Sequence, residues 1–143
     1  MDAVVLIPAR YASTRLPGKM LLSRTGKPLI RHTIESVRPA RRVERVVVAT
    51  DDERIAEAAR AAGAEAVQTR ADHASGSDRL AEAVERLGLE EDRIIVNVQG
   101  DEPELPPGLV DRLVERLEGS DAPMATLCAP LSEEEASDAN RVK

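Results

Sequence analysis

The stretch IPARYASTRLPGK, Ile7 to Lys19, places three cations, Arg10, Arg15 and Lys19, directly after an apolar run. The chain as a whole carries a net charge of -6, so a generally basic surface does not account for them. Backbone amides left free at the end of a strand, together with guanidinium and ammonium groups, form charge-assisted bonds to phosphate oxygens. Pro8 and Pro17 stiffen the two ends of the stretch, and Gly18 lets a ligand approach the backbone closely. It is not a P-loop. That motif requires GxxxxGK[ST], whereas here Gly18-Lys19 is followed by Met20 and Ser13 stands where the first glycine belongs. Nor is it GxGxxG. A lone cation would read as a solvated loop residue. Three of them after a buried strand favour phosphate binding.

A second stretch, VNVQGDEP, also ends an apolar run. Asp101 follows Gly100, so its carboxylate is expected to emerge at the edge of a sheet. A carboxylate there suits Mg²⁺, which takes one or two carboxylates plus substrate phosphates. The alternative is a turn aspartate capping nearby amides. Taken alone the two readings are even; a phosphate loop on an adjacent strand tips the balance toward the metal. Glu102 is the rival ligand, but Pro103 restricts it to an extended shape, and it is expected to support rather than coordinate.

A third stretch, TRADHASGSDRL, opens a helix. Ser75, Gly76 and Ser77 offer amides and hydroxyls to a nucleotide, although ordinary N-capping explains one serine equally well. Arg79 falls in the first helical turn, where a cation opposes the helix dipole. Local conflicts of this kind mark functional positions. His73 reads as a loop histidine and His32 as a surface or packing residue; neither has a partner spaced for a metal site or a nucleophile triad.

These stretches need a frame to bring them together. AVVLIPA (Ala3 to Ala9), RVVVATD (Arg45 to Asp51) and RIIVNVQG (Arg93 to Gly100) are short continuous apolar runs, the pattern of strands buried on both faces. AEAVQT (Ala64 to Thr69) and MATLCAP (Met124 to Pro130) are weaker strands. Helical patterns lie between them. Leu29, Ile30, Ile34 and Val37 form one face, with Pro28 expected at the first helical position. DDERIAEAARAAG stops at Gly63, a helix opening at Ser75 or Ser77 stops at Gly88, and one opening at proline stops at Gly119. Strands alternating with helices predict βαβ units around a mainly parallel sheet, an α/β Rossmann-like three-layer sandwich in a single domain over residues 1–143. In such a sheet ligands bind at the carboxyl ends of the strands, where the first two stretches fall.

The totals agree. The 143 residues are enough for one α/β domain with a core. Hydrophobic residues make up 42% and charged residues 32%, the composition of a soluble globular protein. Tyr11 is the single aromatic residue, so the core must be aliphatic. The acidic balance argues against non-specific nucleic-acid or membrane-surface partners. With one cysteine, Cys128, there is no internal disulfide or cysteine zinc cage, and its apolar neighbours predict a buried, inert thiol. No run approaches membrane-spanning length and no leader pattern is seen, which predicts a cytoplasmic protein.

Taken in order, IPARYASTRLPGK, VVVATDDERIAEAA, TRADHASGSDRLAEA and IIVNVQGDEP resemble the 3-deoxy-manno-octulosonate cytidylyltransferases, or CMP-Kdo synthetases. The resemblance runs from about Ala3 to the last residue. It implies a nucleotide-diphospho-sugar transferase fold whose sheet begins in the order 3-2-1-4, and transfer of CMP from CTP to the sugar acid Kdo with Mg²⁺, releasing pyrophosphate and giving CMP-Kdo for lipopolysaccharide biosynthesis. The family's triphosphate-binding positions match Arg10 and Lys19, with Ser13 and Arg15 in the same loop. Its nucleotide-contacting segment matches His73, Ser75 and Arg79, with Gln99 near the α-phosphate, and its first metal aspartate matches Asp101. Arg10, Lys19 and Asp101 are the expected catalytic set: Asp101 through its metal at the α-phosphate, Lys19 and Arg10 on the leaving pyrophosphate.

The family continues beyond the point where this chain ends, in ANRVK. The expectation is an N-terminal portion truncated at its C-terminus, lacking a second metal aspartate, most of the sugar-acid site and much of a homodimer interface. MATLCAP would then lack its neighbouring strand, leaving the segment from Met124 loosely attached. Two other readings remain: a cytidylyltransferase for a related acid, of the 8-amino-Kdo or sialic-acid type, and a non-catalytic CTP-binding fragment.

Overall fold

The computed structural model describes residues 2–139. Strand β1, Ala3–Ala9, coincides with the first apolar run, and all seven of its residues are buried. Side chains alternate across a strand, and here each side meets a different apolar cluster. Ala3, Val5, Ile7 and Ala9 enter one cluster and Val4 and Leu6 the other. A continuous apolar run is therefore needed, since neither face of β1 meets water. Burying side chains the size of Leu6 and Ile7 contributes roughly 1.5–3 kcal/mol each.

The remaining strands are β2, Val43–Thr50, β3, Glu65–Gln68, and β4, Ile95–Asn97. Every pairing is parallel, and the order is β3-β2-β1-β4, as the resemblance implies. Helices α1, Leu29–Val37, and α2, Glu53–Ala61, connect β1 to β2 and β2 to β3. Helix α3, Gly76–Leu87, carries the chain back across the sheet to β4, and α4, Pro107–Glu118, follows. Right-handed crossovers that wind outward put α1 and α2 on one face; the return to β4 reverses direction and puts α3 on the other. The clusters match this. Ile30, Ile34, Val37, Ile55, Ala59, Val110 and Val114 pack on one face, and Leu80 and Ala83 on the opposite one. The reversal falls between β1 and β4, which opens a crevice at their carboxyl ends.

Several expectations are corrected. Pro28 stands at the N-cap of α1 rather than at its first helical position. Helix α4 does open at proline, with Pro106 at its N-cap and Pro107 as its first residue. Met124 to Pro130 contains no strand, and its residues are almost all exposed. Among the described residues β4 has β1 on one side and no strand on the other, and an extended segment without a ladder partner does not register as a sheet. Cys128 is exposed rather than buried, because the apolar segment around it packs into no core. The acidic run after it forms one short helix, α5, Glu133–Ala136, closed by a capping box between Ser132 and Glu135.

Candidate functional site

After β1 the chain folds back on itself. Gly18 N donates to Tyr11 O at 2.9 Å and Lys19 N to Leu16 O at 3.2 Å, and a 3₁₀ turn over Lys19–Leu21 follows. Gly18 has φ +70°, and a β-carbon there would lie 3.1 Å from the Tyr11 ring. The positive φ favours glycine, and the nearby ring leaves little room for a side chain. Tyr11 is held from the other side by Arg54, whose guanidinium carbon is 3.8 Å from the ring centroid. Arg54 is itself fixed by the α2 N-cap residue Asp52, at 2.7 and 3.0 Å. The Arg54 guanidinium holds the Asp52 carboxyl below its ordinary value. The solitary aromatic residue thus braces the cationic loop against α2.

The bracing sets the loop over one cavity of about 720 Å³ at the carboxyl ends of β1 and β4. From the first stretch Arg10, Ser13, Arg15 and Lys19 line it; from the segment opening α3, His73, Ser75 and Arg79; from the turn after β4, Gln99 and Asp101. All nine residues matched to the family's positions therefore share a single space, of the size that holds small-molecule ligands, whereas Ser77, Glu102 and His32 do not line it. Four cationic side chains face one carboxylate among these nine. Lys19 Nζ lies 2.7 Å from Asp101 Oδ2, with side chains 38% and 43% exposed. Arg10 and Arg15 are exposed and make no ion pair among the described residues. The surplus of positive charge suits a polyanion.

The other predicted residues are partly engaged with the protein. Ser75 is the N-cap of α3 and accepts from Asp78 N at 3.1 Å, so it performs the ordinary capping role while lining the cavity. Arg79 is buried. Its guanidinium donates to Thr69 Oγ1 at 2.5 Å and to Arg70 O at 3.1 Å, and lies 3.6 Å from Asp51 Oδ1. This resolves the apparent conflict with the helix dipole: the cation ties the carboxyl ends of β2 and β3 to α3. Gln99 is exposed and its amide reaches Asn97 Oδ1 at 3.4 Å. Ser13 Oγ accepts from Leu16 N at 3.4 Å, closing a turn within the cationic loop.

His73 has a duty that sequence reasoning missed. Its Nε2 bonds Glu82 Oε2, and the same carboxylate accepts from Arg70 N at 3.0 Å and Arg86 Nε at 2.7 Å. A carboxylate only accepts, so His73 carries its proton on Nε2. These donors, His73 foremost and then the Arg70 amide, hold the Glu82 carboxyl at about 2 against the opposing effect of burial, with Arg86 assisting. The segment bearing His73 and Ser75 is in this way buttoned onto α3. His32, placed at the surface or in packing, meets Thr25 Oγ1 at 2.6 Å away from the cavity. Thr33 was also missed. It is the polar member of the buried stripe Ile30, Thr33, Ile34, Val37 on α1, and its hydroxyl donates to Gly100 O at 2.7 Å. A polar residue at a core position of an apolar helix face was the signal that could have found it.

Comparison with known proteins bears on the family and the fold. A 3-deoxy-manno-octulosonate cytidylyltransferase of Serratia proteamaculans is 54% identical over 144 residues, which cover all of this chain and 57% of that protein. A solved structure of CMP:2-keto-3-deoxy-manno-octonic acid synthetase complexed with CTP superposes with a TM-score of 0.77 at 45% identity, covering 85% of this chain and 49% of that one. A cytidylyltransferase from Leptospira borgpetersenii gives a TM-score of 0.72 at 27% identity, over 85% of this chain and 51% of its own. The chain thus spans about half the length of the relatives it matches. With the cytidylyltransferase family model matching residues 4–143, the chain belongs to the cytidylyltransferase family.

Proposed function

We infer that the cavity binds CTP with a divalent cation, and that the protein takes part in transferring CMP to Kdo with release of pyrophosphate. The observation that carries this is the convergence of all nine residues from three separate segments on one cationic cavity. The relative complexed with CTP, at 45% identity, supports the nucleotide, and the Serratia relative supports the sugar acid. The resemblance further implies a homodimer in the cytoplasm. No described helix is long and apolar enough to cross a membrane.

Asp101 is the residue that would hold Mg²⁺. A cationic group already sits against its carboxylate, the Lys19 ammonium at 2.7 Å, so the position favours positive charge. Among the described residues no group of three or more His, Cys, Asp and Glu could form a protein cage. A single carboxylate fits an ion that completes its shell with water and substrate phosphates. When bound, such an ion supplies Lewis-acid neutralisation of phosphate charge. The chain's own residues do the rest. Arg10 and Lys19, with Arg15 in the same loop, place positive charge where a departing pyrophosphate needs it, and this positioning lowers the barrier. The Lys19–Asp101 pair is exposed enough to be worth only ~0–1 kcal/mol, so it yields to an incoming triphosphate.

The test is competition among CTP, UTP, ATP and GTP for the purified chain in Mg²⁺, beside an assay of pyrophosphate release with Kdo in a protein of the relatives' full length. CTP is expected to win. Equal affinity for all four triphosphates would count against the assignment. Release with an 8-amino analogue of Kdo or with a sialic acid, but not with Kdo, would redirect the sugar acid while leaving the nucleotide in place.

A further inference from the structure

Helix α1 buries four residues, Ile30, Thr33, Ile34 and Val37, and one of them is polar. Packing alone would be served as well by valine, which has the same shape. A buried hydroxyl costs free energy unless it is bonded, and that of Thr33 donates to the carbonyl of Gly100 at 2.7 Å, 67 residues away. This carbonyl belongs to the peptide joining Gly100 to Asp101.

The position of that peptide matters. Glu102 N donates to Gln99 O at 3.1 Å, so residues 99–102 form a hydrogen-bonded turn, and the Gly100–Asp101 peptide is its central one. Rotating a central peptide by half a turn converts one common turn type into another and drives the residue after it to positive φ. Asp101 does not have positive φ, since no described residue other than glycine does. The rotated turn would re-aim the Asp101 side chain. The turn lies close to its neighbours: a β-carbon on Gly100 would sit 2.9 Å from Met20 Sδ and 3.3 Å from Pro8 O. The turn is thus pressed against the end of β1 and the 3₁₀ turn that carries Lys19. Rotation of the central peptide would break the bond that its carbonyl accepts from Thr33, so the Thr33 hydroxyl opposes it.

We propose that Thr33 is a positioning residue for the reaction. Its hydroxyl fixes the central peptide of the 99–102 turn and so aims the Asp101 carboxylate into the cavity where a cation is held. This rests on the reading of Asp101 as the metal carboxylate. Groups that orient a metal ligand from behind typically govern metal affinity by 10- to 100-fold.

Two substitutions separate the hydroxyl from the packing. Thr33→Val keeps the shape and removes the hydroxyl; Thr33→Ser keeps the hydroxyl and removes a methyl. For each purified chain, CTP binding is followed by calorimetry across a Mg²⁺ titration. Mn²⁺ binding is followed by the EPR signal of the free ion, with thermal unfolding recorded alongside. Thr33→Val is expected to raise the Mg²⁺ needed for half-maximal CTP binding, and the Mn²⁺ dissociation constant, by about 10-fold or more. Thr33→Ser is expected to restore both to near the wild-type values even though its smaller side chain lowers thermal stability. A wild-type Mg²⁺ requirement that Thr33→Val leaves unchanged overturns the proposal while the Asp101 reading stands. Equal shifts in both variants also overturn it, because packing would then be the cause. CTP binding that needs no divalent ion in the wild-type chain removes the Asp101 reading and the proposal together. If Thr33→Val is recovered unfolded, Thr33→Ser and Thr33→Ala differ by the hydroxyl alone and carry the same expectation.

Discussion

Replacing Lys19 with alanine separates the two ends of a bound triphosphate. In the free protein the ammonium is 2.7 Å from Asp101 Oδ2, with the two side chains 38% and 43% exposed. An ion pair that open to water contributes ~0–1 kcal/mol, so Lys19→Ala should fold normally and lose no more stability than that. In the bound state Lys19 is assigned to the distal phosphates. A charge-assisted hydrogen bond there contributes about 1.5–3 kcal/mol. Wild type must first release Asp101, at up to about 1 kcal/mol. The net loss on substitution is therefore about 0.5–3 kcal/mol, or roughly 2- to 150-fold in affinity. CMP lacks the distal phosphates and should lose far less. Calorimetric titration of CTP and CMP into both proteins, in Mg²⁺ and at two salt concentrations, measures the difference. The extra loss for CTP should shrink as salt rises, because the exposed part of the attraction is screened. A matched loss for CTP and CMP would move Lys19 off the distal phosphates and refute the assignment.

Asp101→Asn, placed in a protein of the relatives' full length, is expected to abolish pyrophosphate release with the fold intact, since a neutral amide is a poor substitute for a carboxylate at Mg²⁺; near-normal release at saturating Mg²⁺ would sink the metal role. Glu82→Gln tests the clasp on the His73 segment through acid unfolding. The Glu82 carboxyl is lowered from 4.5 to about 2 in the fold, so its contribution is fully present above 4.5 and disappears as pH falls through about 2. The stability gap between wild type and Glu82→Gln should hold constant above about pH 5 and close below the ordinary carboxyl range; a gap that widens toward acid would reverse the sign of the argument.

How much of this was legible in the chain differs from element to element. Strand β1 could be read to the residue, because seven consecutive apolar side chains have no stable home except between two layers. The end of α3 was equally plain: Gly88 takes φ +60°, the left-handed conformation that closes a helix. The expectation of phosphate and metal chemistry at the cationic loop and at Asp101 followed from residue types beside strand ends, and the structure brings both to one cavity. The sheet order came from the likeness of the motifs to a family; strand patterns alone left it open. Met124 to Pro130 was misread because local β propensity is weak and depends on a partner. The same error hid the exposure of Cys128, since flanking apolar residues bury a thiol only if they themselves find a core.

Local spacing determined the strands, the helix ends and which residues carried charge, since those depend on steric and hydrophobic preferences that act over a few residues. The tertiary structure decided which distant groups meet. Lys19 and Asp101 are 82 residues apart and Thr33 and Gly100 are 67 apart. No periodicity encodes those meetings. They arise because α1 packs on the same sheet that brings β4 beside β1. Burial of Arg79 against Thr69 and Arg70 has the same origin: a cation in the first turn of a helix looks misplaced until the ends of two strands are packed against it. Such contacts are set by the order in which layers close around the core, a property of the whole packed chain that no short stretch contains.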